Sequence, residues 1–105
     1  MDSFNQVIYW LLANSLGGLN RIKILNDLFK KPQNAHELSQ HLDLDYKTIR
    51  YHLKILREND FIETAGNKYG KTYFISEKLT DHKKYFEKVC KEYSTLHNNG
   101  GMKKK

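Results

Sequence analysis

One cysteine, one proline and one tryptophan in 105 residues are the scarcities that first constrain this chain. With Cys90 alone, no intrachain disulfide can form and a cysteine-rich zinc site is excluded, so a reducing cytoplasm is the expected location. Long apolar runs are missing too. The stretch from Val7 to Leu12 is shorter than a secretory or membrane-spanning segment needs, and no basic leader precedes it, so no membrane partner is expected. There is no glycine-rich phosphate loop, no nucleophile motif and no carboxylate pair with an evident pocket. An enzyme is therefore not expected, nor a cofactor.

What the chain has in excess is positive charge. A formal net charge of +6 and a pI near 9.4 favour an acidic partner, and nucleic acid is the commonest one for a small basic domain. A solvated basic surface would give the same balance, so motifs have to decide. The length suits one domain, expected over residues 1–97, because two cores of this size would bury too little apolar surface to offset chain entropy.

Phe4, Val7, Ile8, Leu11 and Leu12 recur at helical spacing and predict a first helix within residues 1–16. Gly17-Gly18 breaks it. A second helix is expected from about Arg21 to Lys31, capped by Asn20 and stapled by Leu19 against Ile24, with Ile22, Leu25, Leu28 and Phe29 inward and Pro32 marking its end. Asn34 followed by Glu37 forms a capping-box pattern for a short helix that buries Ala35, Leu38 and Leu42. Asp45 caps the next helix, about 46–59, after the tight connection Asp43-Leu44-Asp45. Two short capped helices joined in this way are the sequence form of a helix-turn-helix.

From Phe61 the period changes to alternation through Ala65, a turn follows from Gly66 to Gly70, and alternation resumes from Thr72 to Ile75. This predicts a β-hairpin over 61–75, with Lys68, Tyr69 and Lys71 making it a basic wing. Ser76 is the expected cap of one last helix over 77–97. It carries Leu79, His82, Phe86, Val89, Tyr93 and Leu96 at the alternating three- and four-residue spacing of a helix that pairs with another. Residues 98–105, rich in glycine and lysine, are expected to form a disordered basic tail. The fold class expected is mainly α with a small β-hairpin (α+β): a winged helix-turn-helix over 19–76 with extra N- and C-terminal helices.

On a wheel of the fourth helix, Ile49, Leu53 and Leu56 cluster on one side and must face the core. Geometry then turns Lys47, Arg50, Tyr51 and Lys54 outward, with Tyr46 and Thr48 near the N-terminal end. Phosphates demand positive charge and base edges a planar pair of donors, which Arg50 can supply to a guanine.

The stretch from Leu19 to Ser76 resembles the winged-helix domain of the ArsR-like transcriptional regulators. The matching residues are Arg21 with Ile24-Leu25, Glu37-Leu38 with Leu42, and the run Thr48-Ile49-Arg50-Tyr51-His52-Leu53-Lys54-Ile55-Leu56-Arg57 followed by Phe61-Ile62. The resemblance implies a homodimer whose terminal helices pair across a twofold axis and whose recognition helices enter successive major grooves of double-stranded DNA. It implies DNA contact for Lys47, Thr48, Arg50, Tyr51 and Lys54, and backbone or minor-groove contact for Lys68, Tyr69 and Lys71. Relatives in this family bind metal through cysteines in the helix-turn-helix or through Asp and His pairs on the last helix. This chain departs from both patterns, and Asp81, His82 and His97 lack the required spacing, so no metal is expected.

The two apolar stripes lead independently to a partner subunit. Phe4, Val7, Ile8 and Leu11 on the first helix, and Phe86, Val89, Tyr93 and Leu96 on the last, exceed what so small a monomer is expected to cover, which places them at a dimer interface. The alternative is that these helices pack on each other within one chain. His52 reads as a packing histidine and Cys90 as packing on an apolar helix, while His82, in the seam, reads as a solvated or hydrogen-bonded histidine, the alternative being a proton-sensitive dimer contact. The function expected is a sequence-specific regulator of transcription; the alternative is a winged-helix protein-interaction module.

Overall fold

The computed structural model describes residues 2–67 and 70–101, with side chains described through Tyr93. Asp2 opens α1 (Ser3–Leu12) by accepting the Phe4 amide at 2.7 Å. The second helix, α2 (Gly18–Lys30), starts three residues earlier than the sequence suggests. Its first bond runs from the Arg21 amide to the Gly17 carbonyl, so Asn20 lies inside the first turn and Leu19 is exposed instead of forming a staple. The early start depends on glycine: a Cβ at Gly18 would overlap the Leu12 carbonyl that ends α1.

Asn34 and Glu37 close both bonds of the capping box at 2.7 and 2.9 Å and launch α3 (Ala35–Leu42). Asp43 then takes a left-handed conformation, φ 55°, and reverses the chain. The Asp45 carboxylate accepts from the Lys47 and Thr48 amides and starts α4 (Tyr46–Glu58). A further left-handed residue, Asp60, leads into the antiparallel hairpin of β1 (Ile62–Ala65) and β2 (Thr72–Ile75), in which Ile62 faces Ile75 and Ala65 faces Thr72. Gln33 pairs with Tyr73 through two backbone bonds and ties the hairpin to the end of α2.

Ser76 is buried where the hairpin leaves the core; its hydroxyl donates to the Asp60 carbonyl and accepts the Leu79 amide. It caps α5 (Glu77–Asp81), and a separate helix, α6 (Lys83–Gly101), follows where one continuous helix was expected. The break has a local cause. The Lys78 carbonyl, which would accept the His82 amide in a continuing helix, is taken by the His82 ring at 2.8 Å, and the amide turns to Leu79. At its far end, α6 takes in 98–101 of the expected tail; 102–105 lie outside the described residues.

Among the described residues, six helices and the hairpin enclose one core, built from Ile8, Leu12, Ile24, Leu25, Leu38, Ile49, Leu53, Leu56, Phe61, Leu79 and Phe86 with their neighbours. This corrects part of the expected subunit interface. Phe4, Ile8, Phe86 and Val89 are buried inside the monomer, because α1 lies along α6 and the hairpin and α5 supply a floor that counting helix stripes leaves out. The Phe4 ring, for example, meets Phe61 edge-on at 5.3 Å. Val7, Leu11 and Tyr93 sit half-buried at the margin of this core, and the Leu96 side chain lies outside the described residues.

Candidate nucleic-acid interface

The amphipathic pattern of α4 positions the candidate site. Ile49, Leu53 and Leu56 are at most 1% exposed, which anchors the helix to the core and turns Lys47, Arg50, Tyr51, Lys54 and Arg57 into solvent. Tyr46 stands one turn before Arg50. Its hydroxyl accepts from Arg50 Nη1 at 3.3 Å, and its ring centroid lies 5.8 Å from the guanidinium carbon, so the long Arg50 side chain is steadied before any ligand arrives.

Between α4 and the hairpin runs an open groove of about 660 Å³. The cations of α4, with Tyr51, form one wall, and Lys71 and Tyr73 the other; Glu58 contributes the acidic group. A second hollow of about 330 Å³ lies past Arg50, where His36 at the start of α3 joins Tyr46 and Lys71. Arg50, Lys71 and Tyr73 line both, so the two hollows adjoin, and the exposed cations of α4 form a ridge along one wall. A protruding helix with such a ridge offers ionic contact to phosphates and, through Arg50, two parallel donors to a base edge.

Of the residues singled out from sequence, Tyr46, Lys47, Arg50, Tyr51, Lys54 and Lys71 come together on this face. Thr48 does not line it. It is half-buried, and its amide is spent on the Asp45 cap. Lys68 and Tyr69 lie outside the described residues. Arg57 was missed as a site residue although the helical period reveals it, seven residues beyond Arg50 and three beyond Lys54. His36 and Tyr73 had no local signal, since only the packing of α3 and β2 brings them to α4.

The helices α1 and α6 carry a different surface. Tyr9 and Trp10 on α1, the latter 60% exposed, stand beside Tyr85, Lys88 and Glu92 of α6 around a shallow hollow of about 260 Å³. Burial raises the Tyr85 hydroxyl above its ordinary value. Nearby Cys90 is half-buried, and burial followed by the charge of Glu87 pushes its thiol up to about 11. His82 bonds Asp2 at 3.1 Å and so ties the start of α1 to α5 within the monomer rather than across a dimer seam. Among the described residues no helix is long and apolar enough to cross a membrane, and no group of three or more His, Cys, Asp or Glu could hold a metal ion.

Residues 20–64 match the family model described as bacterial regulatory protein, arsR family. Among solved structures, MarR of Staphylococcus aureus, in complex with salicylate and kanamycin, is 27% identical with a TM-score of 0.59 over 80% of this chain. The chain spans 57% of that protein's length. Reduced HlyU from Vibrio cholerae N16961 is 22% identical with a TM-score of 0.61, and the match covers 90% of each chain. A MarR transcriptional regulator from Methanosarcina mazei Go1 reaches a TM-score of 0.68 at 15% identity, covering 94% of this chain and 66% of its own. The latter two likenesses bear on the fold alone, which is a winged helix-turn-helix. No curated protein sequence matches the chain.

Proposed function

We propose that this chain, whose residues 20–64 match the arsR-family model on a winged-helix frame, is a sequence-specific regulator of transcription that binds double-stranded DNA as a homodimer. In this reading α4 enters the major groove and the hairpin lies on the flanking backbone or minor groove. The protein acts by binding, not by catalysis. One observation carries the reading: Lys47, Arg50, Lys54 and Arg57 form an unobstructed cationic ridge on the side of α4 opposite its buried leucines and isoleucine. Among the described residues, none from α1 or α6 lines the groove beside it.

The homodimer is supported by the Tyr9–Trp10 surface, where α1 and α6 leave large aromatic side chains in solvent after their inner faces have been used. A second copy seated there by a twofold axis would relate the two α4 ridges by symmetry, and a pseudo-palindromic site with half-sites about 10 base pairs apart would match such a pair. Selection of bound sites from a random duplex library tests this directly. A symmetric motif is expected, with affinity falling steeply as salt rises. An unenriched library together with a flat salt response removes DNA as the partner.

A further inference from the structure

Arg21 is only 6% exposed, yet it carries a permanent charge. Its Nε donates to His52 Nδ1 at 3.2 Å, and its Nη1 donates to the Leu11 carbonyl at 3.1 Å and the Ser15 hydroxyl at 3.0 Å. Among the described residues no carboxylate pairs with it. The compensation comes from the C-terminal turn of α1, whose unspent carbonyls form the negative end of that helix. His52 is equally buried and belongs to α4, where the exposed ring of Tyr51 meets it edge-on at 5.1 Å. Gly17 closes over the pair: a Cβ there would stand 2.7 Å from His52 Cε1 and 2.9 Å from Arg21 Nη2. The end of α1, the start of α2 and the middle of α4 therefore meet at one hydrogen-bonded node.

The node has a fixed donor order. Arginine can only donate, so His52 must be neutral, with its proton on Nε2 and a lone pair on Nδ1. A proton on Nδ1 removes the acceptor and sets two cations together where little water reaches them.

We infer that Arg21 and His52 are positioning residues for nucleic-acid recognition: the neutral imidazole latches α4 to the α1–α2 joint, and a second proton on His52 releases it. The latch stands on geometry alone, while its effect on recognition rests on the DNA-binding reading above. Among the described residues, the groups that face His52 are Arg21 from α2, the Tyr51 ring on α4 and the Gly17 backbone from the joint, while the Ser15 hydroxyl meets the other end of the Arg21 guanidinium. Burial and then the Arg21 charge both lower the proton affinity of His52, so the latch is closed at neutral pH and opens in acid. Because α1 also carries the Trp10 surface, the node links the proposed subunit contact to the reading helix.

Two measurements test this. In the full chain with ¹⁵N-labelled histidine, long-range proton–nitrogen spectra are expected to show His52 protonated on Nε2 at neutral pH. Its midpoint should lie below the ordinary value of 6.5, with Leu11 and Tyr51 signals following the same curve. A proton on Nδ1 at neutral pH, or a midpoint at or above that value, overturns the latch. The second measurement compares the wild type with His52→Asn, which retains an acceptor for Arg21 but does not titrate, in binding a labelled mixed-sequence duplex at neutral and mildly acidic pH. The ratio of wild-type to variant affinity is expected to fall several-fold in acid; the comparison cancels the gain that other histidines bring when they protonate. A constant ratio overturns the positioning role. If neither protein binds the duplex at any pH, the DNA reading fails, and the spectra, which need no variant, still decide whether the latch exists.

Discussion

Arg50 and Lys54 are both exposed cations on one face of α4, yet they differ in what they can recognise. The guanidinium of Arg50 is planar, steadied by Tyr46, and able to present two donors to a guanine, whereas the Lys54 ammonium is a point charge suited to phosphate. Arg50→Ala is expected to relax base preference at a single position, at a cost of about 1–3 kcal/mol in discrimination. Lys54→Ala should weaken all sequences alike and reduce the salt slope by about 1. Competition binding across a set of singly substituted duplexes separates the two outcomes, and equal sequence-blind losses would remove Arg50 as a base reader. Cys90 makes a further prediction at this scale. With its thiol pushed up to about 11, almost none is thiolate at neutral pH, so alkylation by iodoacetamide should be much slower in the native chain than in urea. Equal rates would mean that α6 opens readily around Cys90.

Single elements depend on a few polar contacts, and pH acts on two of them with opposite sign. The His82 ring is held above its ordinary value by the Lys78 carbonyl and then the Asp2 carboxylate. Its contribution to stability is therefore complete below 6.5 and fades as pH rises through the folded value. Asp2, held below 3.8 by the His82 ring and the Phe4 amide, contributes fully above that value and loses its contribution as pH falls through the folded one. The tie between α1 and α5 is strongest between these limits. His82→Ala should lower Tm more at about pH 5.5 than at about pH 8, and an equal loss at both would show that the ring serves only as packing. His52 works the other way: its folded value is depressed, so its contribution is present above 6.5 and is lost as pH falls. Capping is simpler. Asn34→Ala removes a side-chain acceptor at the start of α3 and is expected to cost about 1 kcal/mol in urea unfolding.

At the scale of the molecule, the proposed dimer gives the two faces of α1 separate roles, and two substitutions distinguish them. Ile8→Ala opens a hole in the monomer core and should cost roughly 2–5 kcal/mol of fold stability. Trp10→Ala removes a ring that stands in solvent, and should leave unfolding of the monomer nearly unchanged while shifting the mass measured by light scattering from dimer to monomer. A dimer that survives Trp10→Ala, with no change of Trp10 fluorescence on dilution of the wild type, would place the subunit contact elsewhere.

How much was legible in the chain follows from the range over which each interaction acts. Asp45, Asn34 and Ser76 announce helix starts because a cap needs only neighbours three residues away, and Ile49, Leu53 and Leu56 orient α4 because the helical period alone sets which side is left for Arg50 and Lys54. The same reasoning overreached at Phe4, Ile8, Phe86 and Val89, whose apolar character predicts burial but not what buries them; Phe61 against Phe4 and Phe29 against Phe86, each distant in sequence, supplied part of the cover. Tertiary structure alone decided that Arg21 would be enclosed, that His52 would accept its hydrogen bond, that α2 would begin at Gly18 against Leu12, and that His36 would join the cationic groove. Caps and periods are written in consecutive residues, whereas cover, charge compensation and grooves arise only when separate elements converge.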